Sequence, residues 1–361
     1  MKTIMYLMNV DWNWIKQRPQ FVAEELSKSS RVICITPKWY NRKGLQTRKE
    51  VDERIKFLRF YGLPLAGKLL TIKRINSKLR SLFVRIAVAL HKPDVIYITY
   101  PDQFGMWMTR SKTKLLYDCM DNLPALAGST EARELVQNQE YKLIKHCDYI
   151  LATSQNLKDV LVRRYNLEEQ QITIVRNGYS GEILSVVDES INKTRKELHI
   201  AYIGTISSWM DFELLEKYVN EYADVVFHMI GPVQNGVVFP KHIRIIREGT
   251  VEHDKLWDKV RNFDGLIMPF KLNDIIEAVD PVKLYEYINF GKAIITVKYK
   301  EIERFLPFVY FYNSYEEFCV AVQNIRNEKH LKYTAEERQR FLAENNWSNR
   351  AKIIESIISQ D

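Results

Sequence analysis

The sequence predicts an α/β protein with two domains, each built around a parallel sheet. At 361 residues the chain is too long for one ordinary core, and it suits two domains of roughly 150 to 200 residues. Short apolar runs alternate along it with segments of helical apolar spacing, which is the pattern of repeated β-α-β units. A polar stretch at 181–197 separates two series of these units and is expected to be a linker.

The first domain is expected at 1–180 and opens with a strand, a loop and a helix. Its strands are predicted at 5–10, 32–36, 55–60, 95–100, 115–118, 149–153 and 172–175, where apolar and β-branched residues form short runs. Helical spacing is found at 17–26, 69–90 and 135–144, and again after Ser154, a residue type favoured at helix N-caps.

The second domain is expected at 198–335. Its strands are predicted at 199–206, 225–230, 243–246, 266–270 and 308–311, with one more ending at Val297. Helices are expected after Asp211, at 281–290 and through Phe318, and two charged helices follow at 336–361. Strands that alternate with helices in this way favour a second parallel sheet.

Composition and cysteine usage are typical of a cytoplasmic globular protein. Hydrophobic residues make up 46% of the chain and charged residues 27%, which argues against disorder. The four cysteines form no C-x-x-C pair and no metal-type spacing with histidine, so we expect them to be reduced. No apolar run approaches the length of a membrane span and the N-terminus lacks a signal cleavage site, so we expect a protein that is neither transmembrane nor secreted.

Positive charge is concentrated between Lys38 and Lys92, which hold 15 lysines and arginines against three acids. The helix at 69–90 combines an apolar stripe with basic residues such as Arg74, Lys78 and Arg85. The apolar stripe packs either on its own domain or into a bilayer, and both interpretations leave a cationic surface suited to an anionic membrane. Nucleic acid is disfavoured as a partner, because no binding motif and no exposed aromatic pattern accompanies the charge.

The stretch at 280–297 carries the strongest sign of a binding site. Asp280 is a favoured N-cap, Pro281 suits the first helical turn and Gly291 suits a left-handed C-cap, which together predict a helix at 281–290. Lys283 lies in the first turn, where the helix dipole disfavours a cation. A phosphate bound at this helix start would meet free N–H groups, the dipole and the ammonium together.

Glu286 lies one turn after Lys283, where its carboxylate could accept hydrogen bonds from the two hydroxyls of a ribose. Under the competing interpretation, Lys283 and Glu286 form an exposed ion pair while Tyr285 and Tyr287 only pack. The residues of this stretch alone leave both interpretations open.

Other candidates follow strand ends, where open α/β sheets bind ligands. Gly204 and Thr205 end the first strand of the second domain, and a glycine there lets backbone approach a pyrophosphate. Asp102 and Asp121 follow two strands of the first domain, and Asp121 is the candidate catalytic base. The alternative for such aspartates is a capping role at a helix or turn.

Several motifs resemble those of GT-B glycosyltransferases. The segment D-P-x-K-x-x-E-Y-x-x-x-G-K at 280–292 is similar to their nucleotide-sugar site, and D-x-I-x-A-T-S with I-x-I-V-x-N-G at 148–178 resembles the close of their first domain. The run W-x-W-x-x-x-R-P-Q, with Trp14 and Arg18, resembles a first loop that faces the cleft in bacterial polysaccharide glycosyltransferases. Packing tryptophans and a surface arginine are the competing interpretation of that loop. The ending N-N-W-x-x-R-A at 345–351 is similar to one that carries helices back to the first domain.

The resemblance implies two Rossmann-like domains with parallel sheets facing across a cleft. It implies a hexosyltransferase that moves sugar from a nucleotide-sugar donor, a UDP-sugar, to a glycan or lipid-linked acceptor in surface polysaccharide synthesis, peripherally on the inner membrane face. It calls for neither a metal nor another cofactor. It places the donor on Gly204, Thr205, Thr250, Lys283, Glu286 and Tyr285, and the acceptor near Trp14, Arg18 and Asp102.

Two departures bear on stereochemistry. Ala278 stands where retaining GT-B enzymes carry the first glutamate of E-x7-E before Glu286, and Ser207 and Ser208 stand where they carry diphosphate-binding Arg and Lys. The likeness is therefore closer to the inverting xanthan glucuronosyltransferase type and to teichuronic-acid and capsule glycosyltransferases, with Asp121 as base and Lys283 as phosphate ligand.

Two other functions fit such a fold. A nucleotide-sugar 2-epimerase would need several acids and histidines around the sugar, whereas only His253 of the seven histidines falls near a loop of interest. A non-catalytic module that binds a nucleotide sugar or anionic lipid would show no turnover. Donor turnover with and without acceptor separates the three.

Overall fold

The computed structural model describes residues 1–13, 16–38, 54–63, 69–106, 112–184, 197–252, 255–327 and 331–360. The chain divides into two compact units. Unit 1 consists of Met1–Asn177 with Trp347–Asp361, and unit 2 consists of Gly178–Asn346. Most of the expected linker, at 185–196, lies outside the described residues.

Unit 1 holds a seven-stranded parallel sheet in the order β3-β2-β1-β4-β5-β6-β7. Its strands are β1 (Thr3–Leu7), β2 (Arg31–Lys38), β3 (Ile55–Tyr61), β4 (Val95–Ile98), β5 (Lys114–Cys119), β6 (Tyr149–Ala152) and β7 (Ile172–Ile174). Its helices are α1 (Arg18–Leu26), α2 (Leu70–His91), α3 (Thr130–Ile144) and α4 (Gln155–Tyr165).

Unit 2 holds a six-stranded parallel sheet in the order β10-β9-β8-β11-β12-β13. Its strands are β8 (Leu198–Ile203), β9 (Val225–Ile230), β10 (Ile245–Gly249), β11 (Gly265–Met268), β12 (Ala293–Val297) and β13 (Val309–Tyr312). Its helices are α5 (Phe212–Glu221), α6 (Leu256–Val260), α7 (Val282–Asn289), α8 (Tyr315–Asn327) and α9 (Ala335–Glu344). The last helix, α10 (Trp347–Ile358), belongs to unit 1. Of the two helices expected to return to the first domain, α10 therefore does so and α9 stays with unit 2.

Alternation along β1 places apolar side chains on both faces of the first sheet. Ile4 and Tyr6 pack in a core with α1 and α10, and Met5 and Leu7 pack in a second core with α2, α3 and α4. Trp347 of α10 stacks on Phe21 of α1 with ring centroids 5.0 Å apart. The predicted class, α/β with two parallel sheets, is confirmed.

Local signals were accurate at Ser154 and Gly291 and shifted by one residue at Asp280. Ser154 caps α4 through a 3.0 Å bond that its hydroxyl accepts from Leu157 N–H, and Gly291 has a left-handed φ of 59°. Helix α7 begins at Val282, so Pro281 holds the N-cap position predicted for Asp280. The buried Asp280 carboxylate instead forms an ion pair with Arg304, a stronger partner than a neutral N–H group.

Candidate functional site

Three glycines end adjacent strands at the carboxyl edge of the second sheet. Gly204 N–H donates to Ile230 O at 2.8 Å, and Gly231 N–H donates to Gly249 O at 2.7 Å. All three have positive φ, at 141° for Gly204, 142° for Gly231 and 77° for Gly249, a region that favours glycine. A Cβ atom on Gly231 would lie 2.0 Å from Gly204 O, so the two turns are packed backbone to backbone.

Lys283 lies directly against Gly204. A Cβ atom on Gly204 would lie 2.1 Å from Lys283 Cε and 3.0 Å from Nζ, so the lysine stem occupies the space that a side chain would need. The half-buried ammonium has a lowered pKa, because desolvation outweighs the opposing effect of Glu286. Within the described part of the chain, no hydrogen bond or salt bridge to this ammonium is found.

These features make the start of α7 the candidate anion site. Leu284 N–H already donates to Pro281 O at 3.2 Å, which leaves the N–H groups of Val282 and Lys283 without an intrahelical acceptor. The helix dipole adds partial positive charge beside the desolvated ammonium. Gly204 has no side chain, which lets the Lys283 stem lie directly against its backbone. A phosphate group is suited to such a combination.

The other predicted donor residues divide into two sets. Thr205 follows Gly204 and Thr250 follows Gly249, and both are exposed at the same sheet edge. Glu286 lies one turn after Lys283 on α7 and is half-buried. The structure therefore brings Gly204, Thr205, Thr250, Lys283 and Glu286 to one edge of unit 2.

Tyr285 is placed in the core of unit 2. It is fully buried, its ring packs edge-on against Phe305, and its hydroxyl accepts a 2.9 Å bond from Arg304. Tyr285 thus stabilises α7 from the side of Arg304, and its buried side chain offers no surface to a donor.

Two tyrosines that the sequence did not predict as donor-site residues reach the Gly204 turn. The hydroxyl of Tyr202 donates to Thr205 O at 2.8 Å, and the hydroxyl of Tyr287 accepts a 2.7 Å bond from Ile203 N–H. Both side chains are buried. Helical spacing places Tyr287 one turn after Lys283, which was the available signal, but an aromatic residue at such a position is indistinguishable from an ordinary core residue.

Asp121 lies just beyond β5 at the carboxyl edge of the first sheet, and its side chain is exposed. Neighbouring protein still desolvates the carboxyl and raises its pKa above the ordinary value, while Arg18 lowers it and Asp118 raises it further. The loop is held on both sides, because Thr153 Oγ1 donates to Met120 O at 3.0 Å and Arg164 donates to Asn122 at 2.8 Å. An accessible carboxylate of raised pKa on a fixed loop is suited to general base catalysis.

Asp102, the second acidic candidate of unit 1, forms an ion pair with α2. Its carboxylate lies 3.5 Å from the Arg80 guanidinium, and it is exposed. Desolvation raises the pKa of the Asp102 carboxyl above its ordinary value, although the positive charges of Arg80 and Lys73 oppose that shift. The strand end after β4 is thereby connected to the basic helix.

Arg18 is buried beneath the edge that carries Asp121. Its guanidinium donates two bonds to the fully buried Asp118, at 2.8 and 2.9 Å, and one to Arg176 O at 3.1 Å. Tyr97 donates a further 2.7 Å bond to Asp118. In this position Arg18 fixes the end of β5 and so supports the Asp121 loop. Trp14 lies outside the described residues.

Helix α2 exposes much of the apolar stripe for which both domain packing and insertion into a bilayer were open interpretations. Ile75, Leu79, Leu82, Ile86 and Leu90 are between 43% and 73% exposed, and they follow one another at helical spacing. The helix instead packs through a different face, whose smaller residues, including Val84, Ala87 and Val88, are buried. The interpretation of the stripe as ordinary domain packing is wrong for these five residues.

In the described ranges of the chain, no group of three or more histidine, cysteine, aspartate or glutamate side chains could hold a metal ion. The helices of these ranges are all too short or too polar to span a bilayer.

The chain is similar to known proteins both in its sequence and in its fold. Residues 20–181 match the family model described as Glycosyltransferase Family 4. The Bacillus subtilis (strain 168) protein named "Putative teichuronic acid biosynthesis glycosyltransferase TuaH" is 23% identical over 272 residues, which cover 70% of this chain and 68% of that protein.

Two solved structures illustrate the likeness of fold. Sucrose-phosphate synthase from Thermosynechococcus elongatus has a TM-score of 0.71 at 13% identity, with 100% of this chain and 99% of that one covered. HepE of Anabaena, in complex with UDP and glucose, has a TM-score of 0.69 at 13% identity, with both chains covered completely.

Proposed function

We propose that this chain, which is a glycosyltransferase with the GT-B fold, transfers a sugar from a UDP-sugar to a glycan or lipid-linked acceptor of a surface polysaccharide. The observation that carries the proposal is the position of the Lys283 ammonium against Gly204, at the start of α7. Support for the donor comes from the UDP complex of HepE. Support for the acceptor class comes from the name of the Bacillus subtilis relative.

The donor diphosphate is assigned to the edge of unit 2. Lys283 and the N–H groups of the first turn of α7 meet its negative charge. Gly204 and Gly231 lack side chains, which lets the two strand-end turns and the Lys283 stem pack closely together and places the ammonium at the turn. Glu286 is assigned to the ribose, because its carboxylate can accept hydrogen bonds from the two ribose hydroxyls. Thr205 and Thr250 are assigned to contacts at the rim of the same edge.

The proposed reaction is a displacement at the anomeric carbon with inversion. Asp121 takes the proton of the acceptor hydroxyl, whose oxygen forms the new bond to the anomeric carbon as the bond to the diphosphate oxygen breaks. The nucleoside diphosphate leaves with the bonding electron pair, and Lys283 stabilises that developing charge. Trp14, Arg18 and Asp102 are proposed for the acceptor side, with Arg18 acting through Asp118 as a support.

We also propose that the enzyme works as a peripheral protein on the inner membrane face, docked through α2. The exposed stripe of α2 gives an apolar face, and Arg74, Lys78 and Arg85 are exposed beside it. An apolar ridge flanked by cations is suited to the interface of an anionic bilayer. The free state of all four cysteines agrees with a reducing compartment.

Vesicle flotation tests this docking. Wild type should bind anionic vesicles more than neutral ones and lose binding as salt rises. Replacing Arg74, Lys78 and Arg85 by Glu should abolish binding, and Leu82→Gln with Ile86→Gln should weaken it at unchanged charge. If the charge-reversed protein still floats with anionic vesicles, α2 is not the docking surface.

The transfer itself is tested with a panel of nucleotide sugars, each with and without acceptor glycolipid. Release of UDP that depends on acceptor is the expected result. A changed sugar configuration on the recovered donor would instead mean epimerisation, and binding without turnover would mean a binding module.

A further inference from the structure

Among the strands that the structure describes, none runs beside the end of β8 on one of its two sides. Strand β11 pairs with β8 only at Ile200 and Ala201, whereas β9 follows β8 as far as Ile203. Gly204 N–H points towards β9, where it bonds Ile230 O. Because bonding direction alternates along a strand, the N–H and C=O of Ile203 point to the side that β11 has left.

One hydroxyl group fills that gap. The Tyr287 hydroxyl accepts the N–H of Ile203 at 2.7 Å and lies 3.3 Å from Ile203 O, to which it donates. Tyr287 is fully buried, and burial raises the pKa of its hydroxyl, which therefore stays protonated and able to donate. A helix side chain thus replaces a strand at the last residue before the Gly204 turn.

The same helix carries the phosphate-binding lysine. Tyr287 lies one helical turn after Lys283, so the bond to Ile203 fixes α7 relative to the strand whose next residue is Gly204. Lys283 Cε is in van der Waals contact with Gly204, and a small movement of α7 would change where the ammonium lies over the turn. Nothing of Tyr287 is accessible to a ligand.

We infer that Tyr287 is a positioning residue for the donor diphosphate: its hydroxyl sets the distance between the Gly204 turn and the Lys283 ammonium. The inference rests on the proposed donor site. It separates two effects of Tyr287, since the ring contributes to the core and the hydroxyl aligns the phosphate ligands.

The test compares the affinities for UDP and for uridine by calorimetry. Tyr287→Phe keeps the ring and removes the hydroxyl, so UDP should bind about 5- to 20-fold more weakly while uridine affinity changes less than about twofold. The matched control is Tyr218→Phe, which removes another buried hydroxyl of the same core, bonded to Asp224 on the other side of unit 2. That control should bind both ligands like wild type.

A double-mutant cycle with Lys283→Met links the effect to the ammonium. In the Lys283→Met background, Tyr287→Phe should cost less than about twofold in UDP affinity, because there is no ammonium left to align. Independent, additive losses, equal losses for UDP and uridine, or wild-type UDP affinity in Tyr287→Phe would each overturn the inference. Wild-type UDP affinity in Lys283→Met would instead overturn the donor site itself.

A second variant covers the case in which Tyr287→Phe does not fold. Replacing Tyr287 by 4-aminophenylalanine keeps a donor for Ile203 O but weakens the acceptor for Ile203 N–H. We expect a loss of about 2- to 5-fold for UDP and none for uridine. An unchanged UDP affinity would refute the role of the hydroxyl.

Discussion

Removing the Lys283 ammonium is the most direct test of the donor site. Lys283→Met is the sharpest change, because it keeps an unbranched stem against Gly204 and deletes only the charge. Lys283→Ala also removes the stem and leaves a void beside the turn. Both variants should therefore lose diphosphate affinity, and the Met variant isolates the electrostatic part.

The expected magnitude follows from the surroundings of the ammonium. It is half-buried and desolvated, so a bound phosphate would form a charge-assisted hydrogen bond that water cannot easily replace. Loss of such a bond costs about 1.5 to 3 kcal/mol, which is about 10- to 150-fold in Kd. Uridine, which carries no phosphate, should bind both variants and wild type alike.

Calorimetric titration with UDP and with uridine at one fixed salt concentration provides the measurement. Lys271→Ala is the matched control, because it removes one exposed positive charge of unit 2 that pairs with Glu213 at 3.0 Å. It should change UDP affinity by less than about twofold. Equal affinity of Lys283→Met and wild type for UDP would refute the assignment.

Three further outcomes are expected. Gly204→Ala should weaken UDP binding, because the added Cβ would lie 2.1 Å from Lys283 Cε and displace the flexible end of that side chain. Its melting temperature should fall through backbone strain at a φ of 141°, as should that of the control Gly236→Ala, whose added Cβ meets no atom within 4 Å. Equal UDP binding by the two variants would contradict this. Asp121→Asn should keep UDP affinity and lose about 10²- to 10⁴-fold in kcat, and NMR of the anomeric proton should show inversion; a normal kcat or a retained configuration means that Asp121 is not the base. Lys283→Met should raise the melting temperature of the ligand-free protein at neutral pH, because a lysine whose folded pKa is lowered costs stability while it is charged. This advantage should begin to shrink as pH rises past the lowered folded pKa and should vanish above the ordinary lysine pKa of the unfolded chain. A melting temperature at or below wild type at neutral pH would show that the ammonium is not under strain.

Much of the fold could be predicted because its signals are local. Buried strands of parallel sheets are short apolar runs, and each is followed by turn residues or a helix cap such as Ser154. The strand-end positions of Gly204 and Asp121 follow from the same pattern. The sequence thus predicted both sheet edges at which the candidate residues lie.

What escaped prediction depends on contacts between distant segments. Tyr285 and Tyr287 lie two residues apart with the same side chain, yet one bonds Arg304 and the other bonds Ile203. The choice depends on where β11 leaves β8, which no local pattern encodes. Arg18 was likewise expected to face a ligand, and its burial follows from Asp118, 100 residues away.

Helix α2 shows the same limit for surfaces. Apolar periodicity identifies a stripe but not the partner that covers it. Here the buried face is built from small residues, Val84, Ala87 and Val88, which allow close packing on the sheet. The larger apolar residues remain on the outside, and this excess of exposed apolar area supports the docking proposal.

The packing of α10 on α1 has a consequence for the order in which the chain is made. Unit 1 is assembled from both ends of the sequence, with Trp347 buried against Phe21. Ribosomal synthesis delivers all of unit 2 before that helix, so one apolar face of the first sheet is covered only in part, by α1, while unit 2 folds. A chain stalled before Trp347 would expose the rest of this face to chaperones and to other nascent chains. The docking of α10 therefore ends the period in which the risk of aggregation is greatest.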